Sequence, residues 1–128
     1  MIAVIADDLT GAAELGAVGD RYGLNAEVVT GMLLKDDDPE RRSPTRRDPS
    51  DLNRTKSKGS APADNAAADL ICIDIDSRSC LPEEARRRVG QAAKALLASG
   101  AKGIYKKVDS VLRGHVVAEI ESLMSELA

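Results

Sequence analysis

Residues 1–6 (MIAVIA) form an unbroken apolar run, the pattern of a strand buried on both faces. Residues 10–22 are rich in Ala and place Ala12, Leu15, Gly19 and Tyr22 on one helical face, with Gly23 as a left-handed stop. Three more short runs read as strands: 25–30 (NAEVVT), 69–74 (DLICID) and 102–107 (KGIYKK). Between the last two, Pro82 stands where a first helical turn begins, and Glu83 and Glu84 fall near the positive end of that helix dipole. Ala85, Val89, Ala92, Leu96 and Leu97 then keep a helical period, as do Val116, Ile120, Leu123, Met124 and Leu127 after the fourth strand. The order β-α-β, a break, then β-α-β-α predicts an α/β fold. Its form is an open parallel sheet of the Rossmann-like or flavodoxin-like kind, a three-layer α/β/α arrangement.

The break covers residues 35–65. It holds Pro39, Pro44, Pro49 and Pro62 and almost nothing apolar, and its many Lys and Arg residues are balanced by Asp and Glu. Such a stretch buries too little surface to offset its ordering entropy, so it reads as a flexible charged insertion before the third strand. The pairs Arg41-Arg42 and Arg46-Arg47 fit a solvated loop better than an anion site.

Composition narrows the function. The 128 residues suffice for one domain, 1–128, with a core of Ala, Val, Leu and Ile, because Phe and Trp are absent and Tyr22 and Tyr105 are the only aromatics. Without rings there is no stacking platform for single-stranded nucleic acid, and a net charge of −3 suits no phosphate backbone. No nucleic-acid partner is expected. Nor is a membrane partner, since no apolar run nears the ~20 residues that span a bilayer. Without a basic segment before its apolar start, the chain is expected to be cytoplasmic, with Cys72 and Cys80 as reduced thiols. The spacing of these cysteines offers no metal-ligand set.

In an open parallel sheet, ligands bind in the crevice beyond the carboxyl ends of the strands. Polar residues gather at three such ends: Asp7-Asp8-Leu9-Thr10-Gly11 after the first strand, Asp74 to Ser79 after the third, and Lys106-Lys107-Val108-Asp109-Ser110 with Arg113 and His115 after the fourth. Asp, Ser and Thr are also ordinary helix caps, so each piece alone says little. Together the three loaded ends point to a site. Arg78, Arg113, Lys106 and Lys107 offer positive charge for a carboxylate or phosphate. Asp7, Asp8, Asp76 and Asp109 can accept from hydroxyls or act as a base. Helix N-termini after the first and fourth strands are expected to add N–H donors for an anion. A small polyhydroxy acid uses all of these features. No GxxxxGK[ST] or GxGxxG pattern is present, so no nucleotide site is recognisable.

Three stretches, IADDLTGAAE (5–14), DIDSRS (74–79) and YKKVDSVLRGHVVAEIE (105–121), resemble the signature segments of the N-terminal domain of the four-carbon acid sugar kinases. The resemblance implies a sugar-acid-binding domain of an enzyme that phosphorylates threonate, erythronate or 3-oxo-tetronates. It also implies ATP and Mg²⁺ as requirements of the complete enzyme, bound by a separate ATP-binding domain or chain and not by this one. By motif, substrate contacts fall on Asp7, Asp8, Thr10, Arg78, Lys106, Lys107, Val108, Asp109, Ser110 and Arg113, with Asp8 or Asp109 as the catalytic carboxylate and no protein-held metal. Val111 and His115 replace the family's usual Thr and Asn. His115 is expected in the first turn of the last helix, facing either solvent or ligand. The chain stops at Ala128 with no ATP-binding half, so it is expected to be inactive alone. Two other readings stay open: a phosphoacceptor receiver-like signalling domain with Asp74 as acceptor, and a phosphatase using Asp74 and Asp76.

Overall fold

The computed structural model describes residues 1–30 and 67–128. The charged insertion expected at 35–65 lies outside these. The described elements run β1 (Ile2–Ala6), α1 (Leu9–Arg21), β2 (Ala26–Val29), β3 (Leu70–Asp74), α2 (Pro82–Ala98), β4 (Ile104–Lys107) and α3 (Val116–Leu127). The four strands form one all-parallel sheet in the order β2-β3-β1-β4. The fold is thus the open α/β sheet that the alternation of strand and helix patterns predicts.

Side chains alternate across each strand, so the sheet feeds two cores. Val4, Ala6, Leu70 and Cys72 pack with Ala12 of α1 on one face. Ala3, Ile5, Ile73 and Ile75 pack with Val89, Ala92, Ala93 and Leu96 of α2 and Leu123 of α3 on the other. The chain therefore leaves β1 toward one layer and leaves β3 and β4 toward the opposite layer. Connections that diverge in this way open a crevice at the carboxyl end of the strand between them, which here is β1. Register brings the three edges level, because Ala6 pairs with both Asp74 and Lys107.

Two helical faces differ from the sequence pattern. On α1 the buried line is Gly11, Ala12, Gly16 and Gly19, while Tyr22 is the C-cap and 84% exposed. The helix sits too close to the sheet for larger residues: a Cβ on Gly16 would lie 2.5 Å from Val28 Cγ2, and one on Gly19 would overlap Leu70 Cδ2. Gly23 does end the helix at φ +80°. On α3 the buried residues are Glu119 and Leu123, and Ile120, Met124 and Leu127 are exposed. The helix turns a carboxylate inward because Lys106 lies beneath it and requires a counter-charge.

Candidate active site at the carboxyl end of β1

The site is built by the residues that come after the strand ends. Asp7 is the first residue after β1, and its carbonyl accepts from the N–H groups of Ser77 (3.0 Å) and Arg78 (3.3 Å). This backbone tie folds the β3 loop over the end of β1. The Arg78 guanidinium then faces three carboxylates. Its Nε lies 2.9 Å from Asp7 Oδ2 and its Nη2 lies 3.2 Å from Asp7 Oδ1, a two-pronged pair. Its Nη1 is 2.7 Å from Asp8 Oδ2, and Nη2 is 3.5 Å from Asp109 Oδ1. Gly114 turns the β4 loop beside Arg78 and Asp7 at φ +85°, a left-handed conformation that favours glycine.

Asp109 closes its own loop. Its Oδ2 accepts from the N–H groups of Val111 (3.2 Å) and Arg113 (3.1 Å), and Arg113 grips both oxygens at 2.9 and 2.8 Å. The Arg113 guanidinium, helped by the two backbone N–H groups, holds the Asp109 carboxyl well below the usual carboxylate range. Asp8 Oδ1 accepts from Gly11 N–H at 2.8 Å and caps α1. These pairings correct half of one expectation: at the N-terminus of α1 the Gly11 N–H is taken by Asp8 itself, whereas the N-cap of α3, His115, makes no side-chain capping bond.

The candidate residues divide into groups. Asp7, Asp8, Arg78, Asp109 and Arg113 converge. Lys107 borders them on the α1 side, its Nζ 3.3 Å from Glu14 Oε2 and 3.2 Å from the Val108 carbonyl that it donates to, and its Cγ lies near the Cβ position of Gly11. Thr10 and Ser110 are exposed, and Val108 is half-buried. Lys106 does not join the cluster. It points into the opposite layer, with Nζ 2.8 Å from Glu119 Oε2.

His115 is the N-cap of α3 rather than a first-turn residue. It is half-buried, with Nε2 2.6 Å from the Cys80 carbonyl, so it faces the β3–α2 loop and not open solvent.

The two alternative chemistries lose their geometry. Asp74 is buried with Oδ1 accepting from Asp76 N–H at 2.8 Å, and burial pushes its carboxyl up, which suits neither an accessible phosphoacceptor nor a nucleophile. The strand order also differs from the 2-1-3-4-5 of receiver-type sheets, because β2 lies outside β3 and β4 takes its place beside β1. Asp76 has an 87% exposed side chain, unlike Asp74, so the two do not form a shared phosphatase site.

Glu119 and Ser77 were not foreseen. Ser77 Oγ donates to Glu119 Oε1, both residues are fully buried, and Lys106 completes the group. A charged residue at an inward helix position was the available signal. It is read only once Lys106 is known to be buried.

Among the described residues, no three His, Cys, Asp or Glu side chains are arranged to hold a metal ion, and no helix is long and apolar enough to cross a membrane.

Comparison with known proteins shows the family. The pattern of the sugar-binding N-terminal domain family matches residues 2–128. The chain is 33% identical over 127 residues to a D-erythronate kinase of Heliobacterium modesticaldum, covering 98% of this chain and 23% of that protein. It is also 33% identical over 126 residues to a D-threonate kinase of Cupriavidus necator, covering 94% of this chain and 22% of that one. The chain thus spans less than a quarter of these relatives. A crystal structure of a Bordetella bronchiseptica domain of unknown function, a domain-swapped dimer with bound citrate, superposes with a TM-score of 0.67. Its identity is 24%, over 98% of this chain and 25% of that one, a likeness of fold.

Proposed function

This chain belongs to the family of sugar-binding N-terminal domains, and on that premise we propose that it binds the four-carbon sugar acid of an ATP-dependent kinase. The substrate class is a tetronate or 3-oxo-tetronate. The observation that carries the reading is the Arg78 cluster, a guanidinium held among three carboxylates at the crevice of an open parallel sheet.

The chemistry derives from the partners of each group. An incoming sugar carboxylate pairs with Arg78, whose planar fork suits two oxygens, and with Lys107 at the rim. The substrate hydroxyls donate to Asp7 and Asp8, which the carboxylate releases from part of their contact with Arg78. Of the two candidate bases, Asp109 is the poorer: Arg113 keeps it ionised and its lone pairs are occupied. Asp8, with one oxygen on Gly11 N–H and the other beside Arg78, is the better positioned to take a hydroxyl proton. Phosphoryl transfer demands in-line placement of the donor and neutralisation of its charge more than a strong base.

On this reading ATP and Mg²⁺ belong to the complete enzyme and not to this chain. Asp8 already caps α1, where a phosphate would otherwise bind, and no described trio of ligands holds a cation. On this reading the donor nucleotide is brought by a separate ATP-binding domain or chain, and the chain alone is expected to show no kinase activity.

Calorimetry and thermal-shift measurements with D-erythronate, D-threonate and erythritol test this. Either acid at 100-fold above its Kd should stabilise the chain by about 2.7 kcal/mol. Erythritol, which lacks the carboxylate, should leave it unchanged. Equal responses to acid and polyol, or none to any tetronate, would falsify the reading. Phosphorylation of a tetronate by this chain with ATP alone would remove the division of labour.

A further inference from the structure

We propose that Glu119 is a positioning residue: through Ser77 and Lys106 it fixes the β3 loop against the end of β4, and so holds Arg78 in place for the sugar acid. The inference rests on the binding role proposed above for Arg78.

Glu119 is 1% exposed and Ser77 is fully buried, and Lys106 is nearly so at its side chain. Lys and Glu are almost never buried this deeply unless paired. Each oxygen of Glu119 has its own partner: Oε1 accepts from Ser77 Oγ, and Oε2 lies 2.8 Å from Lys106 Nζ. Lys106 Nζ also donates to the Lys107 carbonyl at 3.0 Å, at the point where β4 ends. Both carboxylate oxygens of this buried residue are engaged within the protein, so it acts through its neighbours.

Those neighbours are the site. Ser77 is fastened at both ends, its N–H to the Asp7 carbonyl and its hydroxyl to Glu119, and the next residue is Arg78. A buried ion pair is often no more stabilising than apolar residues of the same volume, whereas it fixes one geometry among several. Leu or Met at these positions would fill the layer equally well. Only an acceptor at 119 can hold the Ser77 hydroxyl and, with it, the direction in which Arg78 leaves the loop.

The test compares two charge-free cores in the full chain. Lys106→Met/Glu119→Leu removes the charges and the acceptor. Lys106→Met/Glu119→Gln removes the charges and keeps a carbonyl oxygen for Ser77. One readout needs no ligand: the solvent exchange rate of the Arg78 Nε–H proton, bonded to Asp7, measured by NMR. The other is the Kd for D-erythronate and D-threonate. The Leu variant should exchange this proton at least 10-fold faster and bind at least 10-fold more weakly. The Gln variant should stay within about 3-fold of the parent on both.

Wild-type behaviour in the Leu variant overturns the proposal, as does equal loss in both variants. Should the Leu variant fail to fold, Ser77→Ala, which disturbs no charge, decides the point on the same readouts. If the parent binds neither acid while Arg78 exchange responds as stated, the substrate reading falls and the positioning role stands.

Discussion

Replacing Arg78 by Met keeps most of the apolar stem and removes the cation that three carboxylates share. Asp7 loses most, because its side chain is 5% exposed and Arg78 supplies its two-pronged partner. Asp8 loses one contact but is 25% exposed, and Asp109 keeps Arg113. Removing one member of a fully buried pair costs about 3–5 kcal/mol, while an exposed pair contributes about 0–1. Arg78 is 24% exposed, so the site lies between these limits and a loss of about 2–3 kcal/mol is expected. With a urea slope of about 1–3 kcal/mol/M, that lowers the midpoint by about 0.7–3 M. Asp7→Asn supplies the second arm of a cycle. Alone it should cost about 1 kcal/mol, and with Arg78→Met the combined loss should fall short of the sum by about 1.5 kcal/mol, the measure of a direct contact. Salt should recover part of the Arg78→Met loss, because at about 1 M the screening length is ~3 Å and the carboxylates no longer repel across the gap. A coupling below about 0.5 kcal/mol would refute the shared-cation reading.

Gly19→Ala sets helix propensity against packing: Ala gains up to about 1 kcal/mol in a helix, but overfilling a packed contact costs about 1–3. Since the new Cβ would overlap Leu70, a net loss near 1 kcal/mol is expected, and a rise in melting temperature would contradict the close approach of α1. Gly103→Ala, with nothing within 4 Å of its Cβ, is the matched control. Acid unfolding provides another test. Arg87 first, and then Arg88, hold the Glu84 carboxyl at about 2 against an ordinary 4.5. Its native value is depressed, so its contribution is complete above about pH 4.5 and fades as pH falls toward 2. Urea midpoints between pH 5 and pH 2.5 should therefore decline less steeply in Glu84→Gln than in the parent. Parallel slopes would show that the pair does not form in solution.

Strand and helix positions are legible in the sequence because apolar runs and helical periods report burial against neighbours within the same element. The strand order is less so. That β3 rather than β2 lies beside β1 depends on where the chain goes between residues 30 and 67, a stretch whose composition carries no pattern to specify a path. The facing of α1 and α3 is legible only in part for a related reason. On α1 the expected face holds at Ala12, Leu15 and Gly19 and fails at Tyr22, because a line built largely of Gly has no large side chain to mark where it ends. On α3 the pattern offers an apolar line through Val116, Ile120, Leu123, Met124 and Leu127; of these the structure buries Leu123, leaves Ile120, Met124 and Leu127 exposed, and turns Glu119 inward.

In the candidate site the same boundary separates residues beyond a strand's end from residues within the strand. Asp7, Asp8, Arg78 and Asp109 come after the strand ends, where the backbone turns away and polar side chains share one crevice; their position in the order of elements is enough to group them. Lys106 and Lys107 are still in β4, where successive side chains point to opposite faces. Two adjacent lysines there cannot both serve one ligand. Ile104 packs against the α2 and α3 layer, and Lys106, two residues on, must point inward with it. A lysine carried into that layer needs an anion, and α3 offers Glu119 one turn from its start. The alternation rule, applied from Ile104, thus requires a buried acid near Lys106. It also separates the cation at the rim of the crevice, Lys107, from the one that builds the wall behind it.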